Sequence, residues 1–585
     1  MGMERVTELH TRILESVGLS QYKSSTPSSW ILLLVGVAAT LVVISVVQLL
    51  VSRKTLNLPP GPRNWPIIGA LLQMEPQLRK LIKMEPQLHK VLDRFANRYG
   101  PIVYFRLGVQ NIVVVSTAEA AEELLRHKDA DFADREAKMT RSSRKYAAFD
   151  GVIFPFANYD DELKVHRKLF ISELFTVAKI KTYETLRTQE VAAMVENVFC
   201  RIHHGGKGDE YNDNAIVSSA AAPAMVDVRA VTEAVPRNIM FMLAVGKRFD
   251  SLPPTDELRE FPVIVDEIMK IVMEINIVDF FPWLIWLDPQ GLIKRMKAFE
   301  KRQTRYYERI LERNKRAMML QRESRADMNG DADEASKNSF VQILLRAQQE
   351  GTKLSDVGIM ASVLSVLTGG IDTIGSQMEW VLLQLARHPN VLQRLQDEID
   401  VVVGKERPLE EADLPALPFL NAVVLETMRL SGVVPYSFPH VNAKPATLCG
   451  YNIPAKTAVF LNMYSIGRDP KRWKDPLQFN PDRFMVGGTD PTFSPETMRA
   501  NGNYFHLLPF GSGRRVCPGY NLAILVLLRT VGTLVHAFDW SSPPGCSPQE
   551  LGIEEEGSII LHPTPKLFLV PMPRLSSHVY KSNLV

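Results

Sequence analysis

Cysteine is scarce in this chain: there are four in 585 residues, Cys200, Cys449, Cys517 and Cys546, far apart and with no C-x-x-C pair. That spacing excludes a disulfide framework and a zinc cluster built on paired thiolates. An excess of charge of one sign is also lacking. Lys and Arg number 68 against 65 Asp and Glu, a net of +3, so the strongly basic surface of a nucleic-acid binder is not expected. No G-x-G-x-x-G element stands between a strand and a helix, and no flavin-type domain is appended, which argues against a dinucleotide site of its own. Repetition is confined to Met74-Glu-Pro-Gln-Leu78, which recurs as Met84-Glu-Pro-Gln-Leu88 and is too short for a repeat architecture.

What the chain does hold begins with one charge-free run, Trp30 to Val51. As a helix these 22 residues would reach about 33 Å, enough for the roughly 30 Å hydrocarbon core of a bilayer. Residues 1–29 before it form a polar head with mixed charge, longer than the start of a cleaved signal peptide. Arg53, Lys54 and Arg63 follow the run and favour the cytosolic side for what comes after. Residues 52–66 form a basic, proline-rich hinge around Leu58-Pro-Pro-Gly-Pro62, a stiff spacer because proline fixes φ and resists helix.

Beyond the hinge, helical periodicity dominates. Helices are expected around His89–Tyr99 and over Glu267–Val278, Leu292–Arg316, Asp356–Arg387 and Val391–Val403, with a small hairpin over Tyr104–Val115. The polar stretches His203–Asn214 and Arg325–Asn338 read as exposed loops. Apolar residues at 46% and charged residues at 23% are ordinary for a globular chain.

Chemistry concentrates near the C-terminus, in Phe510-Gly-Ser-Gly513-Arg-Arg515-Val-Cys517-Pro-Gly519, directly before the apolar helical run Tyr520–Leu534. A cysteine at a helix start is expected to have a lowered pKa, which favours the thiolate as a metal ligand. Phe510 would shield the sulfur, Gly513 and Gly519 would let backbone approach a flat cofactor, and Arg515 offers a fixed cation for a carboxylate. A second irregularity lies inside Asp356–Arg387, where Thr368-Gly-Gly370-Ile-Asp372-Thr373 puts two glycines and an acid in mid-helix. Glycine there costs about 1 kcal/mol relative to alanine, so a functional reason is sought. A third element, Glu426-Thr-Met-Arg429, places both charges on one helical face, and Pro481-Asp-Arg483-Phe484 follows downstream.

In this order the elements resemble the cytochrome P-450 haem-thiolate monooxygenases, whose haem-binding signature F-x-x-G-x-R-x-C-x-G is matched at every fixed position. The resemblance runs from the hinge to about Pro573 and is nearest to the plant-type microsomal group. It implies a mostly α fold with small β-sheets, as a single domain over 67–573 behind the transmembrane helix at 30–51, with a tail at 574–585. It implies haem b with Cys517 as axial ligand, cofactor contacts from Arg515, Phe510, Gly513, Gly519, His440 and Arg167, and proton delivery by Asp372 and Thr373. Glu426, Arg429 and Arg483 would form a buried structural lock. The family's Trp before Arg167 is replaced by Leu163, and Ile374 stands where relatives often carry Thr or Ser.

The activity implied is insertion of one oxygen atom from O2 into a small lipophilic substrate of plant specialised metabolism: a phenolic, an amino-acid-derived oxime or nitrile, a terpenoid or a fatty acid. Electrons would come from NADPH through a separate NADPH-cytochrome P-450 reductase, drawn to Lys164, Arg167, Lys168 and Arg514. The implied location is the endoplasmic reticulum membrane, single-pass, with the catalytic domain in the cytosol and no nucleic-acid partner. The pocket is expected to draw on Phe149, Phe154, Leu364, Val434, Phe438 and Ile559. Two alternatives stand beside this reading: a haem-thiolate isomerase or dehydratase without net oxygen insertion, which Asp372-Thr373 disfavours, and a membrane haem protein without turnover.

Overall fold

The computed structural model describes residues 57–580, apart from 66, 72–87, 205–215, 218–223, 325–338, 488–503 and 558, together with residue 36. The expected head at 1–29 and the anchor at 30–51, except residue 36, lie outside the described residues, as do the loop at 325–338, most of the loop at 203–214 and the end of the tail.

Helix α1, Leu88–Tyr99, buries Val91, Leu92 and Phe95, one stripe at helical spacing. It leads into β1, Ile102–Leu107, and β2, Gln110–Val115, an antiparallel hairpin with Ile102 opposite Val115 and Leu107 opposite Gln110. The β-branched Val113, Val114 and Val115 are fully buried, as residues covered on both sheet faces should be. Two later strands, β3 (His440–Val441) and β4 (Ala458–Leu461), complete a sheet of order β1-β2-β4-β3, with β4 parallel to β2. A second four-stranded sheet joins Ile216–Val217, Met225–Asp227, Phe568–Pro573 and Phe538–Ser541.

Around these small sheets lies a helical core. Its principal members are α2 (Asp161–Phe170), α3 (Val228–Val245), α4 (Asp356–Gly370), α5 (Asp372–Arg387), α6 (Pro418–Leu430) and α7 (Tyr520–Ala537). Residues 374–386 of α5 are buried without interruption, so this helix is enclosed on all sides. The single helix expected over Asp356–Arg387 is two helices, parted at Ile371 with φ −92° and ψ −69°. Glycine sets both the break and the packing beside it. A Cβ on Gly370 would lie 2.4 Å from Met240 Sδ, and one on Gly375 would lie 2.7 Å from Glu233 Cγ, so α3 can ride directly on this region.

The helix expected over Glu267–Val278 is displaced. The structure has Phe261–Met273 followed by a separate turn, Ile277–Phe280. Pro262 suits a helix start, and the Asn276 side chain accepts from the Val278 N–H to begin the second element.

Within that turn Asp279 is buried and accepts from the Ser142 N–H at 3.2 Å and from the Ser142 hydroxyl at 2.6 Å. Burial pushes its carboxyl from 3.8 up to about 6, although the Ser142 bonds pull the other way. Because the folded value lies above the unfolded one, its contribution is fully present below about pH 4 and is lost as pH rises to about 6. The loss is about 3 kcal/mol at most. Asp279→Asn should therefore flatten this part of the stability profile, read as the difference in urea midpoints of the two proteins from pH 4 to 7.

Candidate active site

A cavity of about 360 Å³ lies between the break separating α4 from α5 and the loop that enters α7. Its wall includes Cys517, Arg515, Phe510, Gly519, His440 and Thr373, residues that span almost 150 positions of the chain. Gly513, Arg167 and Asp372 are not among the residues of that wall.

The cysteine is held by its own loop. The Cys517 N–H donates to the Phe510 carbonyl at 3.0 Å, closing the turn that presents the thiol. Gly513 sits at φ +67°, and a Cβ there would lie 2.4 Å from the Leu125 carbonyl. Its glycine is thus required by a protein contact, whereas the sequence reading tied it to a cofactor. Gly519 does line the cavity and has ordinary space around it, 3.5 Å from the Phe175 ring to an added Cβ. Burial raises the Cys517 thiol above its usual range, and the Gly519 N–H and the charge of Arg167 offset this in part. The expected lowering at a helix start is outweighed, because a buried thiolate without a metal has lost its water.

Arginines converge on the same loop. Arg515 donates Nε–H to the Ala133 carbonyl at 2.7 Å and Nη2–H to the Ala157 carbonyl at 2.8 Å, while its Nη1 has no partner. Burial lowers its pKa to about 10. Arg167 donates Nη2–H to the Val516 carbonyl at 3.0 Å, next to the cysteine, and its Nη1 is likewise orphaned. Arg135, not singled out from sequence, donates to the Phe438 carbonyl at 2.8 Å, lines the cavity and leaves Nε unsatisfied.

Among the described residues none of these three guanidiniums has a carboxylate partner, a costly arrangement for buried cations. Unpaired cations beside a roomy apolar cavity with a thiol in its wall fit a flat, metal-bearing group with acidic side arms. Haem is such a group.

His440 also lines the cavity, but not as the expected cation. Burial, with Arg135 and Arg515 adding repulsion, holds its pKa well below the ordinary value. A ring nitrogen that meets the Phe132 carbonyl at 3.2 Å must be the donor, so Nδ1 carries the proton of the neutral ring. Arg135, with its orphaned Nε, stands in the same wall.

On the opposite side, Thr373 donates its hydroxyl proton to the Gly369 carbonyl at 2.7 Å and keeps its lone pairs. Asp372 turns away, with Oδ1 3.2 Å from Nε2 of His562. Ile374 and Leu163 are both buried.

Glu426, Arg429 and Arg483 meet in the interior. Arg429 donates to both oxygens of Glu426 at 2.7 and 2.8 Å, and Arg483 Nε lies 3.3 Å from Oε1. The remaining donors of Arg429 go to the Gly467, Pro476 and Gln478 carbonyls, so the trio fastens three stretches of chain at once.

Some expected wall residues are elsewhere. Phe154, Val434 and Phe438 line the cavity, while Phe149 stacks edge-on against Tyr307 and Leu364 is buried in the helical core. Ile559 is not part of the wall. Of the cations expected to face a partner, Arg167 is turned inward, Lys164 pairs with Asp161 and Arg514 with Asp129. Arg135 and His562 were not found from sequence because their contacts, to Phe438 and Asp372, lie far along the chain with no local pattern.

Comparison with known proteins adds its own finding. The Cytochrome P450 family profile matches residues 59–570. A flavonoid 3'-monooxygenase of Crocosmia x crocosmiiflora is 34% identical over 544 residues, 92% of this chain and 97% of that one. A trimethyltridecatetraene synthase of Zea mays is 33% identical over 539 residues, 90% of each. Among solved structures, a zebra fish cytochrome P450 with abiraterone superposes with a TM-score of 0.62 at 24% identity, covering 83% of this chain and 99% of the other, a likeness of fold.

Proposed function

The chain belongs to the cytochrome P450 family of monooxygenases, and from that membership we propose that it inserts one oxygen atom into a small lipophilic substrate of plant specialised metabolism. Electrons would come from NADPH through a separate NADPH-cytochrome P-450 reductase. The observation that carries the reading is the juxtaposition of the Cys517 thiol and the Thr373 hydroxyl in the walls of one apolar cavity. When bound, haem with a thiolate ligand supplies the activation of O2, one atom going to substrate and the other to water.

Each group of the protein has a part. Cys517 would bind the haem iron as a thiolate, and the unsatisfied donors of Arg135, Arg515 and Arg167 would hold the acidic arms of the group. Phe510 covers the thiol side, and its ring lies 6.2 Å from that of Tyr520. Thr373 presents lone pairs that receive and pass on a proton, and Asp372 is the acid behind it. The aromatic faces of Phe154, Phe175 and Phe438 exclude water and favour a flat, largely apolar substrate. A phenolic of flavonoid type suits this wall and agrees with the names of several relatives.

The location proposed is the endoplasmic reticulum membrane, through the run Trp30–Val51. Exposed Trp65 and Ile67 lie on one segment, and Trp283, Ile285, Trp286 and Leu287 on another. Both segments bond to the same β1–β2 turn, Gly108 N–H to Ile68 O and Val109 N–H to Phe280 O, which gathers apolar side chains on the side where the hinge enters. Such a face suits the headgroup region of a bilayer.

The test is co-expression with a plant NADPH-dependent reductase, followed by incubation of the membranes with flavonoids, other phenolics, oximes, terpenoids and fatty acids. A product one oxygen atom heavier that requires both NADPH and O2 is expected from the phenolic set. A product formed equally without NADPH would overturn monooxygenation in favour of rearrangement.

A further inference from the structure

Around Asp372 lies a group of buried charges, His562, Glu379, Arg229 and Glu233, to which the oxygen insertion assigns no task. Its scaffold is a hairpin, β5 (Glu554–Gly557) and β6 (Leu561–Thr564), laid against α5. The Ser376 hydroxyl and the Trp380 indole N–H both donate to the Leu561 carbonyl, at 2.7 and 2.9 Å. That clamp fixes the next residue, His562, opposite Asp372 and Glu379, which are two turns apart on one face of α5.

The resulting distances are specific. Nε2 of His562 is 3.2 Å from Asp372 Oδ1, and Nδ1 is 4.0 Å from Glu379 Oε2. Glu379 is wholly buried, is paired with Arg229 Nε at 2.9 Å and has Oε1 without a partner. Arg229, from α3, also reaches Glu556, the residue opposite His562 in the hairpin. Glu233 of the same helix faces Asp372 and His562 from the other side, with Arg237 nearby. Carboxyls therefore outnumber cations in this group.

We propose that His562 is a proton-carrying positioning residue, which orients Asp372 and replaces the proton that Asp372 gives up toward Thr373. The inference rests on the reading of Asp372 and Thr373 as the route of protons into the cavity. The balance is one for one. The imidazolium gives its Nε2 proton to the Asp372 carboxylate, the carboxyl passes one on toward Thr373 and is a carboxylate again, and the neutral ring is recharged from solvent, to which its side chain is 15% exposed.

Electrostatics agree with the geometry. Burial disfavours the charged ring, but the hydrogen bond and charge of Asp372 outweigh this and raise the His562 pKa above 6.5. Arg229 opposes the rise, and Glu379 assists it. Burial also lifts Glu233 above its usual range and Glu379 to about 7, so protons are retained here near neutrality.

The test uses the full-length, haem-loaded protein in membranes or detergent. Deuterium exchange at the imidazole carbon, followed by mass spectrometry, gives the titration midpoint of His562 without turnover. It is expected above 6.5 in the native chain and clearly lower in Asp372→Asn. The second measurement is coupling, product formed per NADPH consumed, against pH. It should fall through the His562 midpoint in the native protein and be independent of pH in His562→Gln, which keeps a donor toward Asp372 but cannot titrate. In His562→Phe it should be about tenfold lower throughout, for loss of one charge-assisted hydrogen bond. An unchanged ferrous-carbonyl band in each variant shows that the fold is kept.

A midpoint at or below 6.5, or a His562→Gln profile identical to the native one, overturns the role of His562. Native coupling in Asp372→Asn would instead overturn the proton route on which it rests.

Discussion

Replacing Cys517 with serine is expected to abolish the thiolate-type ferrous-carbonyl band and reduce monooxygenase turnover to background, with the fold retained. Serine is nearly isosteric with cysteine, and the backbone that presents it, closed by the bond from the residue-517 N–H to the Phe510 carbonyl, is unaffected. The chemistry is not preserved. A hydroxyl is a far weaker acid than a thiol and a poor match for haem iron, and it cannot push electron density toward the O–O bond. In the native chain burial already opposes ionisation at this position, which makes metal binding the step that brings out the thiolate. Carbon monoxide difference spectra with circular dichroism on the same samples separate ligand loss from unfolding. Retention of the band in a well-folded serine variant would remove Cys517 from the ligand position.

The second large effect is structural. Glu426→Ala should destabilise the protein by about 3 to 5 kcal/mol, since it leaves Arg429 and Arg483 buried and unpaired. Against a total stability of roughly 5 to 15 kcal/mol, that loss would deplete the folded, haem-loaded protein. The carboxylate also accepts from the Asn480 N–H at 2.8 Å, so the loop ahead of Arg483 would be released together with the ion pairs. Glu426→Gln, which keeps an acceptor, should fall between the two. Arg429→Lys should resemble the alanine variant, because a point charge cannot reproduce the bidentate fork or reach three further carbonyls. Urea midpoints and haem content decide the matter, and a loss below about 1 kcal/mol would return the trio to the rank of ordinary surface pairs.

How much of this could be read in advance depended on how local the cause was. Elements set by short-range pattern, such as the stripe in α1 and the hairpin at 102–115, were legible, because adjacent side chains alone decide them. The break at Ile371 was visible as an anomaly in Thr368–Thr373 but not as a division into two helices, which depends on α3 pressing against Gly370 and Gly375. At the site, the cysteine and its loop carried their own signature. Arg135 carried none, since its contact is to a carbonyl about 300 positions away, and the neutral state of His440 follows from its burial, to which two arginines that only the fold places beside it add repulsion. Gly513 was read as making room for a flat cofactor, whereas its φ of +67° and its closeness to the Leu125 carbonyl are what call for glycine there.

The hairpin formed by β5 and β6 has a bearing on how such a protein can diversify. Side chains alternate across a strand, so Leu561 reaches the substrate wall while its neighbour His562 turns to the acids behind the helix. A slip of one position would exchange their faces and spoil both tasks together. Selection for a new substrate can therefore revise the opposing wall around Phe154 and Phe438 independently, whereas changes to this stem must preserve its pairing. Lineages that explore new chemistry through this strand would be expected to do so by altering side-chain size at 561, not by inserting or deleting residues.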